Sequence, residues 1–351
     1  MPLTPPPAAA RFSTRTVGLI AAVVTVLIWT SFIVIARASA DPARGALLGP
    51  FDIAYLRIWG ASLVLLPWGW YLSRQGAQGA RMGFKGHARS SVWGLSPLPW
   101  STTWRIGVFG GLLYAMVAYS GFVYAPAAHA SVLMPGSLPL WTALLAMVFL
   151  HDRITPARAL GLALIVGGDL LVGGSSLLHA FSGGGVWKGD VLFVLAAMVW
   201  SVYSVQVRRY ALDAVRATTA ITAFAFVTYV PVYTALLVLE AVPGRLLAAP
   251  LGLMVFHMLF QGVGSVAVSG IGFTKMIQTF GPVRSTMLTA VVPGLSALAA
   301  AVLLGEGLPW NVLVGLGLVT AGIVFGVRQS APKVNAIDLE AARAASTGAR
   351  G

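Results

Sequence analysis

Residues 18–37 read GLIAAVVTVLIWTSFIVIAR, and residues 189–208 read GDVLFVLAAMVWSVYSVQVR. Gly18, Trp29 and Arg37 fall on Gly189, Trp200 and Arg208 at one constant offset. A second constant offset lays Ser131, Pro139, Asp152 and Gly161 on Ser285, Pro293, Glu306 and Gly315. One apolar unit therefore occurs twice, and the period of the duplication sets the architecture of the whole chain.

Composition decides what surrounds that unit. The 351 residues are 58% hydrophobic and 9% charged, with a mean hydropathy of +0.84. Soluble domains carry about 25% charged residues, so this surface requires lipid. Cysteine is absent, which excludes disulfides, thiolate metal sites and cysteine nucleophiles. A net charge of +13 would suggest nucleic acid in a soluble protein, but here the cations lie between apolar runs, so topology accounts for them and no nucleic-acid partner is expected.

A helix needs about 20 mainly apolar residues to cross a bilayer. Candidate spans lie at 17–36, 52–72, 106–124, 128–149, 157–174, 190–208, 218–240, 252–275, 283–304 and 309–327. The expected fold is an all-α polytopic membrane protein of ten transmembrane helices in two inverted five-helix repeats. Its parts are a disordered cytoplasmic lead (1–16), a first repeat (17–174), a linker (175–188), a second repeat (189–327) and a cytoplasmic tail (328–351). The first apolar run is too long for a signal-peptide core and reads as a retained helix.

Alternate segments hold most of the Lys and Arg residues. Arg74, Arg81, Lys85, Arg89 and Arg105 share the long loop 73–105, while Arg37, Arg44, Lys188 and Arg245 fall on the other side. The positive-inside rule then puts both termini in the cytoplasm. Five spans per half would insert the second copy upside down, and the charges agree. Arg153 and Arg158 match uncharged Gly307 and Val312, while Lys275 and Arg284 match Gly121 and Ala130. Arg37 departs from this exchange, since its counterpart Arg208 is also basic.

The ordered set of motifs resembles the EamA-type members of the drug/metabolite transporter superfamily. The residues that carry the resemblance are Trp29-Thr30-Ser31 and Trp200-Ser201 in the first helix of each half. With them go Pro139 before His151-Asp152-Arg153, and Pro293 before Gly305-Glu306-Gly307. The Gly-rich stretches GLALIVGG (161–168) and GLGLVTAG (315–322) follow. His-Asp stands where the family usually has Gly-Glu. The resemblance spans residues 17–327. It implies ten helices in two inverted repeats, and export or exchange of small metabolites, often amino acids, across a bacterial inner membrane.

Trp29 and Trp200 sit near mid-span, away from the interfacial belt where tryptophan collects. They form either two walls of one central cavity or two core-packing aromatics. Ser31, Tyr119, His129, Tyr203 and Gln261 are candidates for the same cavity, each with a structural alternative. Pro135, Pro139 and Pro293 are candidate kinks, serving as hinges or as static bends. Arg57 lies inside the second span and is expected to pair with Asp52 or to extend outward to the interface. Asp169 and His129 are candidates for proton coupling, with His257 beside them. Asp152 and Glu306 read as caps at helix ends. The glycines of the fifth helices read as packing seams.

No nucleophile elbow, zinc-binding H-E-x-x-H or phosphate-binding loop occurs, so neither an enzyme nor direct ATP use is expected, and no metal or cofactor is implied. The reading is a secondary transporter of small molecules in the bilayer of a bacterial inner membrane, with a homodimer left open. Its rivals are a multidrug or lipid-linked substrate exporter and a polytopic sensor or enzyme. A large cavity without charge would favour drugs; a carboxylate-binding group near Trp29 and Trp200 would favour amino acids.

Overall fold

The structure, a computed structural model, describes residues 13–81, 90–152, 154–180, 182–243, 245–289 and 291–328. Residues 1–12 of the expected lead, most of the tail, the cations Lys85 and Arg89, and Arg153 lie outside the described residues; the end of the lead is not disordered, since Ser13 caps α1 and Thr14–Thr16 form its first turn. The principal elements are α1 (Thr14–Ala40), α2 (Pro50–Arg81), α3 (Trp100–Tyr124), α4 (Ala127–Leu150) and α5 (Pro156–Ala180). They continue with α6 (Val186–Arg209), α7 (Ala214–Val238), α8 (residues 251–289), α9 (Val292–Leu304) and α10 (Trp310–Arg328). There is no β-strand among the described residues.

Among the described residues seven helices are long and apolar enough to cross a membrane: those within α1, α3, α4, α5, α6, α7 and α8. Their outer faces carry side chains that water would penalise, such as Val23 and Leu27 on α1 and Leu170 on α5, all more than half exposed. In lipid nothing drives such faces together, and helices associate instead through small residues and polar bonds.

Helix ends differ from the sequence expectations at several places, α3 beginning at Trp100 rather than 106 and α1 ending at Ala40 rather than 36, and three of the differences have a local reason. α2 runs on to Arg81 rather than 72, carried by the Arg74 guanidinium 3.5 Å over the Trp70 ring and by Gln75 donating to the Tyr71 hydroxyl at 2.7 Å. These are i,i+4 pairs, the spacing at which helix side chains meet. α5 runs to Ala180 rather than 174, because Ser175 and Ser176 bond back to the carbonyls of Val172 and Gly173 instead of ending the helix. The break expected at 276–282 does not occur: α8 is continuous to Thr289, and α9, from Val292, keeps 13 residues. In the first half Pro126 holds the N-cap of α4 with extended backbone (φ −67°, ψ 160°). Phe280 stands at the matching place, without a fixed φ and with an N–H to keep the ladder going. At 1.5 Å per residue α9 is only about 20 Å long, short of a ~30 Å hydrocarbon core.

The contacts between elements come in exchanged pairs. α1 packs on α8 and α9, as α6 packs on α3 and α4; α2 packs on α8, as α7 packs on α3; α5 packs on α10 and α2 on α7. The α5–α10 contact shows the direction. A Cβ on Gly168 would lie 2.5 Å from the Gly315 carbonyl oxygen, and one on Gly322 would lie 2.5 Å from that of Gly161. The early residue of each helix meets the late residue of the other, so α5 and α10 are antiparallel. Glycine lets the two backbones close to this distance. Gly317 has open space around it and takes no part in the seam.

Candidate functional site

A cavity of about 220 Å³ opens among α1, α2, α3, α4, α6, α7, α8 and α9. The irregular turns around it explain why space is left there. α3 is π-helical over Gly107–Leu113, α8 over Met258–Val268 and α4 over Val132–Gly136. A π-turn widens the helix and is a frequent mark of functional sites. In α4 Pro135 lies inside the irregular turn and contributes to the cavity wall. Pro139 and Pro293 stand in the first turns of the segments that follow, where a missing N–H costs nothing.

Trp29 and Trp200 both line this cavity. Trp29 Nε1 donates to Ser269 Oγ at 3.2 Å, and its ring lies 5.1 Å from Phe273. Trp200 lies 4.7 Å from Tyr114 and 5.0 Å from Tyr203, which also line the wall. The two sides are therefore aromatic platforms, each held by a neighbouring helix.

Arg57 also lines the cavity, at 8% exposure. Its Nη1 donates to Ser265 Oγ at 3.0 Å and approaches the Tyr119 hydroxyl and the Gln261 carbonyl, both at 3.4 Å. The expected pairing with Asp52 does not occur. Asp52 accepts from the Gly49 amide at 2.8 Å and from the Tyr233 hydroxyl at 2.7 Å, one turn nearer the end of α2. Nor does Arg57 extend outward: its guanidinium lies over the Phe32 ring, 5.8 Å from the centroid, in the cavity wall. Among the described residues Arg57 has no acidic partner. An unpaired charge at the centre of a bilayer helix costs about 2.5–3.5 kcal/mol.

The other candidates fall elsewhere. Tyr119 and Gln261 are fully buried behind Arg57 and joined by a 2.9 Å bond, with Gln261 Nε2 unpartnered. Ser31 is half-buried and outside the wall. His129 Nδ1 lies 2.9 Å from Asp190 Oδ1, and Asp190 also accepts from Ser176, a knot that ties α4, α5 and α6 together away from the cavity. Asp169 sits on α5 with Oδ1 buried and unpartnered, and His257 on α8 has both ring nitrogens buried and unpartnered; neither reaches the wall.

Two ion pairs stand beyond the ends of the cavity. Arg37 at the end of α1 pairs with Glu306 after α9, Nε to Oε1 at 3.0 Å. Arg208 at the end of α6 pairs with Asp152 after α4, at 2.8 and 3.3 Å. The helix caps are not these acids but His151 and Gly305, both left-handed, at φ 57° and 64°. The cavity wall stops at Ile33, one turn short of Arg37, yet reaches Val207 beside Arg208. The first pair is part-buried and reinforced. Arg37 also donates to the Phe122 carbonyl at 2.7 Å and meets Asp41 at 3.0 Å, while Glu306 accepts from the Ala127 amide at 2.8 Å. Its side chains are 14% and 11% exposed, against 62% and 27% for Arg208 and Asp152. Sequence reading had all four residues in hand as landmarks of the duplication, and missed only that each base meets the acid of the other half.

Comparisons with known proteins agree with this architecture. A family model described as the EamA-like transporter family matches residues 16–174 and 187–328. A protein of Archaeoglobus fulgidus named an uncharacterized transporter is 24% identical over 224 residues, covering 64% of this chain and 76% of that one. A protein of known crystal structure superposes with a TM-score of 0.53 at 22% identity, covering 92% of this chain and 100% of the other, a likeness of fold. The aromatic cavity thus belongs to a polytopic membrane transporter rather than an enzyme, and the chain is a member of the EamA-like transporter family.

Proposed function

We propose that this protein is a secondary transporter that exports or exchanges small metabolites, amino acids or related compounds, by alternating access. In this reading ten spans form two five-helix repeats of opposite orientation, in a bacterial inner membrane with both termini cytoplasmic. The observation that carries it is the matched pair of ion pairs, one at each end of the Trp29–Trp200 cavity.

The energetics of the two pairs differ with their burial. Removing one partner of a largely enclosed, hydrogen-bonded pair costs about 1–3 kcal/mol for the groups left unsatisfied. An exposed pair contributes about 0–1 kcal/mol. The Arg37–Glu306 end is therefore closed and the Arg208–Asp152 end loose, the arrangement of an inward-open conformation. Turning the carrier outward means parting Arg37 from Glu306 and drawing Arg208 and Asp152 together into a similarly dry contact. Because the two pairs are built alike, the loss at one end is offset at the other, and the two conformations stay within a few kcal/mol, as a two-state carrier requires. π-helical turns and Pro135 supply the places where α3, α4 and α8 bend.

Efflux of labelled amino acids from loaded proteoliposomes tests the proposal. Exchange that is saturable, and lost when both Trp29→Ala and Trp200→Ala are present, supports it. A protein that folds but moves no small solute rejects it. The apolar remainder of the wall favours a second reading, export of lipophilic drugs; transport of neutral drugs in preference to amino acids in the same vesicles would select that one.

A further inference from the structure

We propose that Arg57 anchors a carboxylate, and that the cavity takes organic monocarboxylates with an apolar body, an amino acid's ammonium group being tolerated rather than required. The inference rests on the reading of the cavity as the transport site and narrows what that site holds.

Among the described residues, the charged side chain in the cavity wall is Arg57, with no Asp, Glu or Lys. Asp52, the nearest acid along α2, is already held by Gly49 and Tyr233. All the guanidinium's bonds run from Nη1, so Nη2 and Nε have no partner among the described residues. A guanidinium is always charged and offers a planar fork that matches a carboxylate. One edge of that fork is fastened to the protein and the other remains for a ligand. Ser265, which receives Nη1, keeps its own hydroxyl proton to donate. Tyr119 and Gln261 brace the group from behind through their 2.9 Å bond.

The rest of the wall specifies the remainder of the solute. Trp29, Trp200, Tyr203, Phe273 and Met134 present apolar faces. A carboxylate at Arg57 would place an apolar body among these rings. An ammonium group finds no acid here, only aromatic faces, which attract cations weakly. The match in charge is one negative group for one fixed positive group.

Equilibrium binding and counterflow with the full-length protein in proteoliposomes test this, with 3-phenylpropanoate, L-phenylalanine and 2-phenylethylamine as probes. The two carboxylates are expected to bind about tenfold or more tightly than the amine, with 3-phenylpropanoate no weaker than phenylalanine. Arg57→Gln should weaken both carboxylates by about 10–100-fold and leave the amine unchanged. Arg57→Lys, which keeps the charge and loses the fork, should weaken them by about tenfold. Equal binding of amine and carboxylates, or a folded Arg57→Gln protein of unchanged carboxylate affinity, overturns the anchor while counterflow leaves the transport reading standing. The preference of the wild-type protein decides the matter even where a variant does not fold. No binding and no counterflow of any probe overturns both.

Discussion

Arg37 Nε lies 3.0 Å from Glu306 Oε1, and their sequence counterparts, Arg208 and Asp152, meet at 2.8 Å at the other end of the molecule. Each bond joins the first helix of one half to the turn after the fourth helix of the other. The two contacts are one contact repeated by the duplication, and they differ in what surrounds them. Asp41, the Phe122 carbonyl and the Ala127 amide complete the first; the second stands in the open.

This difference predicts unequal consequences of neutralisation. Glu306→Gln leaves Arg37 with Asp41 and the Phe122 carbonyl and should lower stability by about 1–3 kcal/mol. Asp152→Asn should change it by less than about 1 kcal/mol. Thermal unfolding in detergent reads both. Because the native chain has no cysteine, a cysteine placed near Ile33 reports access to that end. Its labelling should rise in Glu306→Gln, and an unchanged rate would contradict the closed-end assignment.

The aromatic platforms should matter more to solute than to folding. Trp200→Ala removes a ring that lies over Tyr114 and Tyr203 in the cavity wall. Substrate affinity in counterflow should fall about tenfold or more, at the cost of one lost aromatic contact worth about 1 kcal/mol. Trp29→Ala should do the same and also release Ser269. Loss of stability without loss of affinity would make both residues ordinary core.

Gly168→Ala should destabilise the α5–α10 seam. The added Cβ would meet the Gly315 carbonyl oxygen at 2.5 Å, and a backbone atom cannot step aside as a side chain can. The cost expected of overpacking is about 1–3 kcal/mol. Gly317→Ala, where nothing lies within 4 Å, is the control and should be neutral. Equal melting temperatures for the two variants would show that the helices separate without strain.

His151→Gly should stabilise the protein. His151 holds φ 57° at the end of α4, where its counterpart Gly305 holds 64°. A left-handed backbone costs a residue with a Cβ roughly 1–2 kcal/mol and glycine little of this. Part of that gain returns to the unfolded chain, which glycine makes more mobile. A net rise in melting temperature is expected, and a fall would mean that the imidazole makes a contact that offsets the strain.

The duplicated landmarks were legible because helix-end chemistry and packing act over a few residues. A left-handed cap asks for Gly or a tolerant substitute, a seam asks for small residues, and a buried helix asks for apolar ones. Places where the reading failed were those in which a distant group rescues or redirects a residue. Ser175 and Ser176 read as a stop yet satisfy themselves against their own helix. Asp52 stood one turn from Arg57 and was claimed instead by Tyr233 of α7. The π-helical turns left no pattern in the apolar periodicity, since they arise from how α3 and α8 accommodate neighbours.

The sequence by itself determined that the chain needs a membrane, that it contains one unit twice, and which residues are equivalent, because these follow from apolar length, charge placement and local propensity. Tertiary structure alone decided which equivalents touch. Arg37 meets Glu306 across the bundle, and Arg57 faces a cavity with no acid among the described residues to answer it. A charge's partner depends on which helices lie side by side, and along the chain Arg37 and Glu306 are 269 residues apart.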